Sequence, residues 1–354
     1  EGLDQWFKPE VSAKLNILPV QGLSYTQTMG YELRQWENQT YRWSTHQDEV
    51  SVNRNGTAYQ GFSKTENINA EGYFNYMNSF DKHNINATLG YSYYERNSQG
   101  FNMTNYNFPV EATALWDIGT GSYNKLGQAS MASSKDITQK LLAYFARVNY
   151  DYDGKYIVSA SYRRESSSKF AKNNRWGNFW AVSAGWRISD EPWMENASWI
   201  DDLKIRAAYG VTGNSDFSSS YASMSYGSDG YFMMPASGNY AIAYGPAVTL
   251  NPSLKWEEQL GWNFGLDFSL FDNRLYGKFD WYNRKVKDML FSVSVPQPPY
   301  ALTSQMQNIG NLRNKGWEFE IGADIVRNNN DWNYSMNFIF SHDRTEVLNL
   351  YGNG

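Results

Sequence analysis

Between Trp262 and Leu270 apolar side chains take every second place (Trp262, Phe264, Leu266, Phe268, Leu270), while Asn263, Gly265, Asp267 and Ser269 take the others. That is the period of a β-strand with two unlike faces. Phe271, Asp272, Asn273 and Arg274 predict a tight polar turn. On the return Leu275, Phe279 and Trp281 alternate with Tyr276, Lys278, Asp280 and Tyr282. The stretch from Leu254 to Arg284 therefore reads as a hairpin, and the chain repeats it.

Val11, Ala13, Leu15 and Ile17 lead through a Pro19-to-Gly22 turn into Leu23, Tyr25, Gln27, Met29 and Tyr31. From Leu33 to Lys64 the apolar period fades, which predicts a polar loop. Ile68 to Tyr76 and Ile85 to Tyr93 form the second pair across a turn at Ser79 to His83, and a very long connection is expected from Glu95 to Thr138. The third pair, Leu142 to Tyr150 and Tyr156 to Tyr162, turns at Asp153-Gly154, where both positions tolerate positive φ. After the polar segment Glu165 to Gly177, Trp180 to Ile188 and Leu203 to Val211 flank a reversal with room for one helical turn. A second long loop is expected from Gly213 to Ser253. Trp317 to Ile325 and Trp332 to Phe340 complete the series.

This is a series of about twelve strands of roughly ten residues, the length that crosses an outer membrane. Short and long connections alternate along the chain, for which a two-sheet sandwich has no reason, whereas a membrane barrel keeps tight turns in the periplasm and long loops outside. The fold class read from the pattern is all-β, an antiparallel transmembrane β-barrel. Tyr76, Tyr150, Tyr156 and Trp332 beside short turns, and Tyr91, Tyr93 and Trp281 toward long loops, then mark the two lipid interfaces, where an apolar ring with a polar tip settles.

Composition narrows the partners. Of 354 residues only 41% are hydrophobic, and no run approaches the ~18 apolar residues of a spanning helix, which excludes a helical membrane protein but not a barrel. Aromatics reach 17%, which suits ring-rich interfaces or a sugar-binding β protein. A net charge of −5 leaves no basic footprint for nucleic acid, and the absence of cysteine rules out disulfides and thiolate metal sites. The chain opens inside a polar segment without an apolar leader, as expected of a removed export signal or of an interior piece.

Catalytic constellations are poor, and no cofactor is expected. Asp151-Tyr152-Asp153-Gly154 has the start of an EF-hand loop but not its later ligands, His46, His83 and His342 are isolated, and Gly119-Thr120-Gly121-Ser122 lacks the lysine of a phosphate loop. Glu257 and Glu258 are neighbours on a strand and point to opposite faces, which argues against a carboxylate pair.

Four phrases carry a family resemblance: YRRESSSKFAKNNRWGNFWAVSAGWRISDEPWM from Tyr162 to Met194, LKIRAAYGVTGN from Leu203, NPSLKWEE from Asn251 and NIGNLRNKGWEFEIG from Asn308. In this order they resemble the barrel of SusC/RagA-type TonB-linked outer-membrane transporters of Bacteroidetes. The matching positions are Arg163, Arg164, Asn173, Asn174, Arg175, Trp176, Gly210, Gly213, Asn214, Asn251, Pro252, Trp256, Glu257, Asn308, Gly310, Asn314, Lys315, Gly316 and Glu318. Glu165-Ser166 stands where the family often has Asp-Gly after the double arginine.

The resemblance implies that residues 1–354 are the middle of a larger plugged barrel of about 22 strands, with the N-terminal plug, the TonB-contacting region and the remaining strands absent from this chain. It implies import of oligomeric nutrients, glycan or peptide, with a SusD-like surface lipoprotein and with TonB as energy source, in the bacterial outer membrane. A soluble extracellular β-rich glycan-binding protein is the alternative reading, and a glycoside hydrolase the third.

Polar residues that alternate with the apolar ones are expected in the lumen, against the plug or a substrate: Arg147, Asn149, Asp151, Ser159, Ser161, Arg163, Lys204, Arg206, Asp267, Lys278, Asp280, Glu318, Glu320 and Asp324. The loops Asn102 to Phe108 and Tyr221 to Tyr244 are expected to meet the lipoprotein lid, or else ligand.

Overall fold

In a computed structural model, residues 2–124, 129–217, 226–233, 240–246, 251–297, 302–329 and 332–350 are described. The strands are β1 (Gly2–Phe7), β2 (Glu10–Asn16), β3 (Leu23–Arg42), β4 (Thr57–Phe80), β5 (His83–Tyr106), β6 (Ser130–Tyr152), β7 (Tyr156–Ser167), β8 (Trp176–Arg187) and β9 (Ile200–Asn214). They continue as β10 (Tyr226–Met233), β11 (Tyr240–Pro246), β12 (Glu257–Leu270), β13 (Leu275–Lys287), β14 (Leu290–Ser294), β15 (Ser304–Asn308), β16 (Asn311–Asn329) and β17 (Trp332–Asn349). One sheet runs in the order β1-β3-β4-β5-β6-β7-β8-β9-β12-β13-β16-β17, with β2 also on β3, while β10-β11 and β14-β15 are separate hairpins. The main sheet is open: among the described residues β17 pairs only with β16.

All twelve strands read from the periodicity are present, but several are far longer than roughly ten residues. β4 and β5 each have 24 residues, β3 has 20 and β6 has 23. The expected polar loop Leu33 to Lys64 shrinks to the segment between Arg42 and Thr57, which holds a short helix, α1 (Gln47–Ser51), and the expected connection Glu95 to Thr138 shrinks to the segment between Tyr106 and Ser130. The cause is physical: backbone pairing needs no apolar side chain, so a strand wet on both faces has no hydrophobic period to betray it. Tyr91 and Tyr93 accordingly lie inside β5, not at its end.

Two compact units divide the chain, the first made of Glu1–Ala13, Gln27–Glu71 and Ser92–Leu141, the second of Lys14–Thr26, Gly72–Tyr91 and Leu142–Gly354. In the first, α1 and the segment after β5 close over a small cluster of Ala58, Phe108 and Ala114. Phe108 and Asn105, expected in an exposed contact loop, are buried instead, and the Asn105 amide donates to the carbonyls of Ile118 (2.7 Å) and Gly121 (3.1 Å).

The second unit holds the hairpin β12-β13, paired from Leu270↔Leu275 to Glu258↔Lys287. Its turn places Phe271, Asp272 and Asn273 at φ 59°, 58° and 57°, a left-handed conformation that bulky residues avoid. Two contacts hold Phe271 there: its N–H donates to the Trp199 carbonyl at 2.9 Å, and its ring stacks on Trp199 at 5.9 Å. Asp153-Gly154 forms the expected turn with φ 57° and 68°, and the reversal from Ser189 to Ile200 contains short 3-10 turns.

No layer of protein covers the apolar face of this sheet among the described residues. Trp180, Trp262 and Phe264 keep 42, 48 and 44% of their surface exposed, whereas the buried apolar residues form small clusters. A water-soluble sandwich would place those rings in its core.

Candidate functional site

Strand alternation gives the second unit two chemically distinct faces. On one, rings from successive strands form a row: Trp180 meets Tyr209 at 5.3 Å, Tyr209 meets Trp262 at 4.4 Å, Trp262 stacks on Phe264 at 5.8 Å and Phe264 meets Trp281 at 5.8 Å. The register continues it through Trp281↔Trp317. Trp281, expected as an interface ring, lies in this row, which Trp180, Tyr209, Trp262, Phe264 and Trp317 join once the register is known. Near the short turns Tyr150 contacts His83 (2.8 Å), and Tyr156 stacks on Tyr152 at 6.3 Å. The Tyr156 hydroxyl and the Trp186 indole donate to Glu191, and these bonds, with Lys155 at 3.6 Å, hold its carboxyl below the usual glutamate value. Trp332 is exposed, Tyr76 half-buried.

The opposite face carries the polar residues, and most are paired within the sheet. Arg206 clamps Asp267 with two bonds (2.8 and 2.9 Å) and reaches Asp280 at 3.1 Å, while Lys278 binds Glu320 at 2.7 Å. Register explains the grouping, since Lys204↔Asp267↔Lys278↔Glu320 and Arg206↔Gly265↔Asp280↔Glu318 lie across neighbouring strands. A Cβ on Gly265 would lie 2.5 Å from the Arg206 guanidinium carbon, so glycine makes the room for that clamp. Ser159 and Arg147 both donate to the side-chain Oδ1 of Asn149, at 2.7 and 3.3 Å, and Arg163 pairs with Glu165. Beside Arg147 and Ser159 a shallow cavity of about 410 Å³ is lined by several small residues, among them Ser161, Ala181, Ser183, Ala208 and Gly210, and by Arg284.

About half of the family-motif positions converge at the long-loop end of β7 to β16. Pairing of β8 with β9 stops at Ala181↔Gly210, and the Phe179 ring occupies the space beside it: a Cβ on Gly213 or Gly177 would lie 2.1 or 2.3 Å from that ring. Phe179 joins Phe170, Val211, Phe217, Leu254 and Trp256 in a buried cluster. The Trp256 indole donates to the Arg175 carbonyl (2.9 Å), Asn174 to the Pro252 carbonyl (3.3 Å) and Asn251 to the Met306 carbonyl (2.9 Å). Asn308 accepts from the Lys255 N–H and donates to the carbonyls of Lys255 and Asp288, each at 2.8 Å. Glu257 accepts from Asn214 (3.1 Å) and from the Leu290 N–H (2.9 Å), so this carboxylate ties strand ends together. Residues up to 81 positions apart in the chain thus bond in one knot, which satisfies the backbone groups of irregular segments.

Other motif positions serve the strands themselves. The Arg164 guanidinium lies 5.1 Å over the Trp176 ring, Asn314 donates to Thr345 at 2.9 Å, and Lys315 approaches Glu346 at 3.8 Å. Gly310 takes φ +80° and Asn173 is exposed. Gly316 faces Tyr282 in register, and a Cβ there would come within 2.5 Å of the His342 carbonyl oxygen and 2.6 Å of the Tyr282 hydroxyl. Gly316→Ala is therefore expected to cost about 1–3 kcal/mol by overpacking, read as a lower urea midpoint for refolding into vesicles. An unchanged midpoint would show that Tyr282 moves aside without cost. Of the expected Tyr221-to-Tyr244 contact loop, residues 221–225 and 234–239 lie outside the described residues.

Comparison with known proteins places this architecture. The family model described as TonB dependent receptor-like, beta-barrel, matches residues 12–354. TonB-dependent receptor P39 of Formosa agariphila is 31% identical over 97% of this chain and 32% of its own length. TonB-dependent receptor SusC of Bacteroides thetaiotaomicron is 35% identical over 60% of the chain and 21% of its own length. The solved RagAB peptide transporter shares the fold at a TM-score of 0.82 and 24% identity, over 99% of this chain and 38% of its own. The chain thus spans about a third or less of the curated relatives it matches. It belongs to the TonB-dependent receptor-like β-barrel family of the outer membrane.

Proposed function

We propose that residues 1–354 form part of the barrel wall of an outer-membrane importer that takes up oligomeric nutrients, energised by TonB and served by a SusD-like surface lipoprotein. The observation that carries the reading is the single-layer sheet with one exposed ring-rich face and one polar face. Lipid suits the first, and a hydrated lumen suits the second. The likeness to SusC and to a peptide transporter supports uptake of an oligomer, and the family is one of receptors and transporters, not of enzymes. The open strand edges call for further strands of the complete receptor, because backbone groups left unpaired in hydrocarbon are costly. The lumen-facing set is Arg147, Asn149, Arg163, Lys204, Arg206, Asp267, Lys278, Asp280, Glu318 and Glu320. Because many of these charges pair with one another, they shape a hydrated wall and leave few free charges for a plug.

The test is uptake by cells that carry the complete receptor. Oligomer uptake is expected to stop when TonB is deleted, and the receptor is expected to co-purify with a surface lipoprotein through its long-loop side. Uptake unaffected by loss of TonB would contradict the proposal.

A further inference from the structure

At the long-loop ends of β3, β4 and β5 a cavity of about 360 Å³ is lined by Thr40, Arg42, Arg54, Thr57, Tyr59, Thr104 and Tyr106. Each strand supplies two residues spaced by two, so all six project from one face, and Arg54 closes the end from the loop after α1. Among the described residues the lining holds two guanidinium groups, three threonine hydroxyls and two phenol rings, with no carboxylate and no aliphatic side chain.

The two arginines are held differently. Arg54 is fixed: its guanidinium lies 4.7 Å over the Tyr106 ring, and its Nε stands 3.3 Å from Glu49, which is fully buried and also accepts from the Thr57 hydroxyl at 2.8 Å. Arg42 is loosely held, since the one ion pair it makes among the described residues, with Asp48 at 3.4 Å, has both partners about half open to water. Such a pair contributes little and yields readily to a competing oxyanion. The site therefore offers one rigid and one exchangeable guanidinium, flanked by rings and hydroxyls.

We infer that this cavity is a binding site for the oxyanion group of an acidic oligosaccharide, a carboxylate or a sulfate ester, held by Arg42 beside Arg54 with its sugar ring among Tyr59, Tyr106 and the threonine hydroxyls. The planar guanidinium matches either oxyanion with paired donors. The lack of aliphatic lining favours a polyol over a peptide, whose side chains need apolar pockets. The inference rests on the import reading above, and specifies its substrate class.

The experiment measures binding to the complete purified receptor by calorimetry. The probes are an oligogalacturonate, a sulfated galactan oligomer, the neutral methyl-ester and desulfated counterpart of each, and a short peptide with a free C-terminal carboxylate. At least one acidic oligomer is expected to bind about tenfold or more tightly than its neutral counterpart, and which one does so separates carboxylate from sulfate. Arg42→Gln is expected to weaken that binding about tenfold, as for loss of a charged hydrogen bond, and Thr104→Val to weaken it by less. Arg42 is open to water at a strand end, so the variant keeps the fold, which the unchanged melting temperature records. Neutral counterparts that bind as tightly, an Arg42→Gln variant that binds unchanged, or tighter retention of the peptide through Arg42 would each overturn the inference. Binding needs no TonB, so a failure here with TonB-dependent uptake intact strikes the anion site alone, and loss of that dependence strikes the import reading.

Discussion

Trp256→Ala is expected to be the most damaging single change in the second unit, at about 3–5 kcal/mol for a buried tryptophan truncated to alanine. Trp256 is only 6% exposed, its ring lies 5.3 Å from Phe170 and 5.2 Å from Phe179, and its indole N–H satisfies the Arg175 carbonyl. Truncation leaves a cavity in a cluster too small to collapse around it, and orphans that carbonyl. Trp256→Phe keeps most of the packing and loses the bond, so it is expected to cost about 1–3 kcal/mol. The damage should be regional. Hydrogen exchange is expected to accelerate in residues 168–175 and 251–256 and in β14-β15, while β12 and β13 stay protected, because their pairing does not pass through the cluster. Uniform acceleration across the sheet would show that the knot nucleates the wall and does not merely tie its ends.

The second large effect concerns the lipid face. Leu266 lies mid-strand between Ile205 and Phe279 in register. Leu266→Arg is expected to destabilise refolding into bilayers by about 2–4 kcal/mol, the penalty for a cation facing lipid near the midplane. Asp267→Asn is expected to cost at most about 1 kcal/mol, because the Arg206 pair is partly hydrated and Arg206 keeps Asp280 as partner. Leu266→Phe discriminates: fluid lipid accepts the larger ring, whereas a close-packed protein core would be overpacked by about 1–3 kcal/mol. Refolding yields of the three variants in vesicles decide the matter. Strong loss with Leu266→Phe would assign the face to a protein core.

Where a strand has one apolar face, its place and partner were legible in the sequence: the turn at Phe271 to Arg274 and the facing strands follow from alternation alone. What escaped was of two kinds. The outer halves of β3 to β6 carry no hydrophobic period, and β1, β10, β11, β14 and β15 are short or polar, so only pairing defines them. The knot escaped because its members are distant in sequence. Asn308, Glu257 and Trp256 announce themselves as a family pattern, but nothing in their spacing says that they bond to backbone groups of segments remote in sequence. The pocket beside Arg42 was hidden for the first reason, since Thr40, Thr57 and Thr104 lie where the sequence reads as loop.

The central claim is that one face of this sheet meets lipid and the other water. The most direct measurement is a nitroxide scan, one label at a time, from Gly261 to Leu270 in the complete receptor in lipid vesicles, with accessibility to oxygen and to a water-soluble nickel chelate recorded at each position. Oxygen accessibility is expected to peak at 262, 264, 266 and 268, and nickel accessibility at 261, 263, 265 and 267, in opposite phase with a period of two. Accessibilities that rise and fall together, or low oxygen accessibility at Trp262, Phe264 and Leu266, would place the apolar face against protein and contradict the account.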